Sequence, residues 1–321
     1  MGENAPANLI SVIVPAFNAG KYIAETLDSV RNQSHRELEI IVVDDGSTDD
    51  TVAIVEAQAS QDKRITLLRS SHRGVSHARN LAIAQARANY IAPIDADDLW
   101  KRDKLKRQYE ILSAALEKTG VVYAWAAGID DEDKIVLPVW NASYARGDVL
   151  HPIIESGILS CGSTPLIRKR YAQEVGGYDE ELHLSEDWKF YTALAGVCHF
   201  EVIPECLIGY RIRSDSASVN LRPMVEALDA CSQWIRTKWP DLPKHVLAER
   251  DFTLNTYLAF MATRGGQYSR VPRYLMRAAG AQPSKLFGVS LWQFAALAVA
   301  HAAGLRRYEW ALWRSPQKFE Q

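Results

Sequence analysis

Three carboxylates stand within four residues at Asp95-Ala96-Asp97-Asp98. They follow the apolar stretch 90–94 directly, and like charges this crowded repel one another unless a cation compensates them. Hard carboxylate oxygens suit Mg2+ or Mn2+, and Mg2+ commonly takes one or two of them and completes its shell with substrate phosphates. The plain alternatives are a solvated acidic turn or a cap for a helix starting near Leu99. A second acidic turn, Asp44-Asp45-Gly46-Ser47, closes the apolar stretch 38–43. A carboxylate at such a strand end can accept hydrogen bonds from a base or ribose, or it can simply build a turn and cap a helix. Glu186-Asp187-Trp188 opens a helical stretch. Acids there can cap the helix, or one of them can take a proton from an attacking hydroxyl. Arg79, Arg211 and Arg213 offer bidentate forks for phosphate, although a lone arginine more often serves a surface ion pair.

The elements that must position these groups alternate strand and helix. Residues 9–14, 38–43, 65–68 and 90–94 are β-branched apolar runs of strand length. Between them, Tyr22, Ile23, Leu27 and Val30 fall at helical spacing after Asn18, an expected cap. Helices are expected from Val52 and over 75–87. Buried strands alternating with helices predict an α/β fold with a mostly parallel, Rossmann-like sheet flanked by helices, whose strand carboxyl ends gather the ligand site. Asn18, Asp44-Asp45 and Asp95–Asp98 all lie at such ends. Further on, 104–116 reads as helix, 121–127 as strand, 188–195 as helix, and 201–204 and 207–211 as two short strands. No pattern is legible over 127–160, and from residue 223 onward the chain reads as helical.

Seven segments, in order, resemble family 2 of the glycosyltransferases, the inverting family with the GT-A fold. They are Ser11-Val12-Ile13-Val14-Pro15-Ala16-Phe17-Asn18, Val42-Val43-Asp44-Asp45-Gly46-Ser47-Thr48-Asp49, Gly74-Val75-Ser76-His77-Ala78-Arg79-Asn80, Ile94-Asp95-Ala96-Asp97-Asp98, Val175-Gly176-Gly177-Tyr178-Asp179, Ser185-Glu186-Asp187-Trp188 and Tyr210-Arg211-Ile212-Arg213. The resemblance implies a GT-A domain over 1–218, with a nucleotide-sugar half at 1–100 and an acceptor and catalytic half at 101–218, followed by a helical region at 219–321. It implies that Pro15, Phe17, Asn18, Asp44 and Asp45 border the nucleotide, as does Ala96, and that Asp95 binds ribose or helps fix the metal. Asp97 would hold Mn2+ or Mg2+, Asp98 could share the ribose or the metal task, Arg79, Arg211 and Arg213 would meet phosphate, and Asp187, beside Glu186, would be the catalytic base. Arg213 stands where relatives often carry His; it can neutralise phosphate but cannot ligate metal. The implied reaction is a single displacement from a nucleotide-diphosphate sugar, UDP-linked by expectation, to an acceptor hydroxyl on a glycan or lipid, in cell-envelope polysaccharide or glycolipid synthesis. The rival reading is a module of the same fold that binds a nucleotide sugar without transferring it.

Composition sets the remaining bounds. The chain has 321 residues, 47% hydrophobic and 24% charged, with a net charge of −2, which suits a globular protein and gives no global attraction to nucleic acid. No GxGxxG and no P-loop is present, which argues against dinucleotide oxidoreductases and P-loop enzymes. Cys161, Cys198, Cys206 and Cys231 lack metal spacing and read as reduced thiols. Residues 1–8 lack the basic start and apolar run of a signal peptide, so a cytoplasmic location is expected. From 252 to 308 there is no Asp or Glu, but there are Arg264, Arg270, Arg273, Arg277, Lys285, Arg306 and Arg307. An uncharged run at 286–305 is followed by Trp310 and Trp313. This pattern predicts a packed helical subdomain, peripheral contact with an anionic membrane at its inner face, or both; a spanning helix is the third reading, disfavoured by Gln293, His301, Gly288 and Gly304.

Overall fold

The computed structural model describes residues 6–140, 142–213, 221–287 and Phe319. The chain forms two compact units: 1–150 with 158–212 and 316–321, and 151–157 with 213–315. The boundary thus falls after Ile212, where the expectation placed it after residue 218. The uncharged run 286–305 with Trp310 and Trp313 lies outside the described residues.

The first unit opens with β1 (Ile10–Ala16), α1 (Ile23–Arg31), β2 (Leu38–Asp44), α2 (Thr51–Gln61), β3 (Ile65–Arg69), α3 (Val75–Gln85) and β4 (Tyr90–Pro93). Strands β3, β2, β1 and β4 run parallel in that spatial order. Every residue of β1 and β2 is buried, as near-continuous Val and Ile runs require when helices cover both faces. Pro15 fits a central strand because the β4 ladder ends at the Ile13–Pro93 pair, so its missing N–H would face no partner.

The chain continues with β5 (Leu99–Trp100), α4 (Lys104–Ala114), β6 (Thr119–Ile129), β7 (Ile135–Trp140), α5 (Leu150–Ser156), β8 (Leu166–Arg168), α6 (Lys169–Glu174), α7 (Glu186–Ala195) and β9 (His199–Arg211); all of these belong to the first unit except α5, which beyond Leu150 belongs to the second. Strand β8 joins β4 to β6 with antiparallel pairing on both sides, and β6 pairs in parallel with β9. The two short strands expected at 201–204 and 207–211 are one strand. Its ladder to β6 skips Pro204 and Glu205 between the pairs Ala124–Ile203 and Trp125–Cys206, a bulge that absorbs a proline with no N–H to give. Strand β7 and helix α5 occupy the stretch where no pattern was legible. The second unit carries α8 (Leu221–Lys238), α9 (Lys244–Arg264) and α10 (Val271–Ala281). No strand is assigned among its described residues, and none of its described helices is long and apolar enough to cross a membrane.

Candidate active site

The loop after β1 and the turn after β2 lock together. Asn18, at φ 48°, donates its N–H to Ser47 Oγ at 2.9 Å and accepts from Thr48 N–H at 2.8 Å. Gly20 N–H donates to Asp49 Oδ2 at 2.9 Å. The Asp44 carboxylate accepts the N–H groups of Gly46 and Ser47 at 3.3 Å, closing the turn. Asp45 is buried and accepts the N–H groups of Arg73 at 2.9 Å and Gly74 at 2.7 Å. Gly74, at φ 96°, is the residue before α3, a geometry that costs glycine nothing. Both acids therefore shape backbone and tie the β2 end to the start of α3. Phe17 remains 48% exposed, its ring 4.3 Å from that of His72, and Pro15 is buried.

The acidic segment after β4 divides its three carboxylates. Asp98 is fully buried. Ser163 Oγ donates to its Oδ2 at 2.5 Å, and Arg211 N–H donates to its Oδ1 at 3.0 Å. Burial, then Asp97 and Asp95, push the Asp98 carboxyl well above the usual range. Expectation left Asp98 to share ribose or metal binding with Asp95 and Asp97. The geometry instead turns Asp98 inward as the anchor of its own loop. Asp95 keeps 30% of its side chain exposed and donates its N–H to Ser163 Oγ at 2.9 Å. Asp97 is half-buried. Ala96 is buried, and its carbonyl accepts the Thr26 hydroxyl at 3.0 Å.

Arg211 does not project as a free phosphate fork. Its side chain is 1% exposed. Nε donates to the Asp97 carbonyl at 2.9 Å, Nη1 to the Asp130 carbonyl at 2.7 Å, and Nη2 to Asp133 at 2.8 Å and Glu25 at 3.1 Å. The β9 end thereby clamps the acidic segment. Arg213 is half-buried and belongs to the second unit.

Arg79 is likewise committed inside the protein. It is 3% exposed on α3. Nη1 donates to Glu186 Oε1 at 2.7 Å, and Nη2 to Asp95 Oδ1 at 2.6 Å. Burial opposes the guanidinium charge, but the Asp95 and Glu186 carboxylates outweigh it and hold its pKa well above the usual value. A Cβ added at Gly162 would lie 3.3 Å from both Arg79 Nη2 and Asp95 Oδ2, so this close approach favours glycine. The guanidinium lies 5.0 Å from the centre of the Tyr178 ring, which stacks on Phe190 at 4.0 Å. Tyr191 donates its hydroxyl to the Gly162 carbonyl at 2.8 Å.

Asp187 sits in the first turn of α7, after Ser185 at φ 59°. The residue keeps some exposed surface, yet its carboxyl is crowded. Burial first, then the Glu186 charge, raise it to about 7, against the opposing pull of Arg79. Its Oδ1 accepts Trp188 N–H at 2.6 Å. A carboxyl near 7 exchanges protons readily at neutral pH, as a base must.

The geometry thus brings Asp95, Arg79, Glu186 and Asp187 into one connected cluster and holds Asp97 beside it through Asp98 and Arg211. Ser163, Gly162, Tyr178, Tyr191, Glu25 and Asp133 complete that support, and sequence reasoning assigned none of them a role. Only Tyr178 carried a signal, because it lay in a family-like segment.

A mixed sheet whose parallel half ends in acidic turns and whose later helix brings a carboxylate pair to them is the GT-A architecture of nucleotide-sugar transferases. The model of glycosyl transferase family 2 matches residues 11–176, and the chain belongs to that family. TuaG of Bacillus subtilis, whose name assigns it to teichuronic acid biosynthesis, is 43% identical over 116 residues, 35% of this chain and 46% of TuaG. The fold is similar to that of S. aureus TarS in complex with UDP-GlcNAc, with TM-score 0.58, 21% identity, and coverage of 94% of this chain and 89% of that one. It is also similar to a mannosyltransferase of Pyrobaculum calidifontis in complex with GDP-Man and Mn2+, with TM-score 0.57, 21% identity, and coverage of 93% and 80%.

Proposed function

We propose that this glycosyltransferase moves a hexose from a UDP-sugar to an acceptor hydroxyl with inversion, in a metal-dependent reaction serving cell-envelope polysaccharide or glycolipid synthesis. The observation that carries this reading is the Arg79 bridge. One guanidinium joins Asp95 at the strand end to Glu186, the neighbour of Asp187, at 2.6 and 2.7 Å, which supports a base close to the donor. Phe17 and His72 offer an exposed aromatic surface for the base, above the turns shaped by Asn18, Asp44 and Asp45. Asp95 and the Ala96 backbone would border ribose and diphosphate. Asp187 takes the proton from the acceptor hydroxyl, which attacks the anomeric carbon from the face opposite the leaving diphosphate; an α-linked donor would give a β-linked product. The names of TuaG and of the TarS complex support an envelope glycan and a UDP-sugar. The acceptor would be a glycan or lipid-linked, met at the inner face of an anionic membrane.

Among the described residues, no three His, Cys, Asp or Glu side chains gather into a closed metal cage. Asp97 with Asp95 supplies one or two hard oxygen donors, the set that Mg2+ or Mn2+ completes with phosphate oxygens and water. When bound, the ion would stabilise charge on the leaving diphosphate. Asp97→Asn is expected to weaken donor binding and to make the residual binding insensitive to EDTA. A screen of UDP-, GDP- and TDP-sugars, followed by nucleotide release and calorimetry with and without Mn2+, measures both. Equal affinity in EDTA and in Mn2+ for the wild-type chain would reject the metal.

The pH profile offers a second check. Asp187 must be ionised to act, and its carboxyl sits at about 7. kcat/KM should therefore climb as pH rises through neutrality and level off above it. A profile already flat below neutrality would remove Asp187 from the role of base.

A further inference from the structure

We propose that the exposed face of α10 docks on an anionic lipid surface. Arg273 and Arg277 are exposed on α10, as is Arg270 immediately before it, and the three are spaced so that they fall on one side of the helix. Met276 stands among them at 68% exposure. Val271, Tyr274 and Ala278 are buried on the adjoining side, with Leu275, Ala278 and Ala281 packed on Phe252 of α9. The helix is thus folded onto its own unit by one face and bare on the other.

The charge on that bare face is uncompensated. Several other cations of the second unit have carboxylates: Lys285 pairs with Glu249, and Arg236 lies 3.4 Å from Asp251. No such pair joins Arg270, Arg273 or Arg277 among the described residues, and the sequence from 252 to 308 contains no acid. Charge complementarity asks for a polyanion. The apolar Met276 between guanidinium groups asks for a surface that also accepts hydrocarbon, which lipid offers and a phosphate backbone does not. The sequence then continues with the uncharged run 286–305, Arg306-Arg307, Trp310 and Trp313, a composition suited to the same interface. This inference rests on the membrane contact of the reading above and not on the roles of Asp97 or Asp187.

The test uses the full chain, sedimented with vesicles of equimolar phosphatidylcholine and phosphatidylglycerol or of phosphatidylcholine alone. The wild-type chain should bind the anionic vesicles, ignore the neutral ones, and release from the former in high salt. Each basic residue near such a surface strengthens binding about fivefold. The Arg270→Gln, Arg273→Gln, Arg277→Gln triple variant should therefore bind on the order of a hundredfold more weakly, and Met276→Ser should weaken binding separately. Circular dichroism and nucleotide release from the donor, both unchanged in these surface variants, would show an intact fold and separate this question from the catalytic one. A triple variant that sediments like the wild type, equal binding to neutral vesicles, or no binding at low salt would each overturn the proposal. A Met276→Ser chain that binds as the wild type does would overturn it as well, by reducing the face to a site for phosphate alone.

Discussion

Asp187→Asn should lower the turnover of sugar transfer by about 10²–10⁴-fold, the usual contribution of a positioned general base, while leaving donor affinity within a small factor of the wild type. Asparagine keeps the shape and the acceptor oxygen that receives Trp188 N–H but cannot take a proton. The donor should still bind because the groups proposed to hold it lie on the loops after β1, β2 and β4. The fold should not suffer. Burial and the Glu186 charge raise the Asp187 carboxyl to about 7, so its ionised form is disfavoured in the native state. A carboxyl raised in this way costs stability increasingly from its unfolded value near 4 up to neutrality, and the cost is constant above that. The Asn variant should therefore match the wild type in acid and exceed it in thermal stability above neutral pH. Single-turnover kinetics, donor calorimetry and melting curves at acid and alkaline pH read these three effects. Near wild-type turnover would show that another group removes the proton, and a stability difference of the opposite sign would show that Asp187 is not strained by its neighbours.

Arg79→Met should damage both fold and activity. It leaves Asp95 and Glu186 facing each other in a buried cluster without their shared cation. Removing one partner of a buried pair typically costs about 3–5 kcal/mol, and each kcal/mol lowers the melting temperature by roughly 2–4 °C in domains of about 150–250 residues. The informative companion is Arg79→Lys. Lysine restores the charge but has a single ammonium in place of the planar fork that reaches two carboxylates 91 residues apart in sequence (186 − 95). We expect the Lys variant to recover most of the lost stability and little of the lost turnover. Arg79 also pulls the Asp187 carboxyl down, so the rise of kcat/KM with pH should move to higher pH in the Met variant. A Lys variant with wild-type turnover would show that charge alone suffices and that the bridge positions nothing. A pH profile unmoved in the Met variant would detach Arg79 from the base.

Much of the donor half is legible in the order of residues. Strands β1, β2 and β4 are continuous apolar runs, buried on both faces, so each announces itself within a few residues and ends visibly at Pro15-Ala16, Asp44 or Asp95. The acidic turns are local for the same reason. The later half is harder to read. Strand β9 contains a proline that a bulge absorbs, a compensation that depends on how β6 pairs beside it. Strand β7 and helix α5 lie where the sequence carries no clear period.

What the tertiary structure alone decided is which of the charged residues face a ligand and which face one another. Asp95, Asp97 and Asp98 are chemically alike and nearly adjacent. Only the approach of Ser163 and of the Arg211 N–H turns Asp98 inward and leaves Asp97 beside the cluster. Arg79 and Arg211 look from sequence like phosphate ligands. In the fold they are internal counterions, because their carboxylate partners Glu186, Asp133 and Glu25 arrive from segments 107, 78 and 186 residues away. An apolar period is a property of neighbours along the chain and survives in the sequence. The partner of a buried charge is set by which distant segments fold against it, since burial makes an unpaired charge costly enough to demand one.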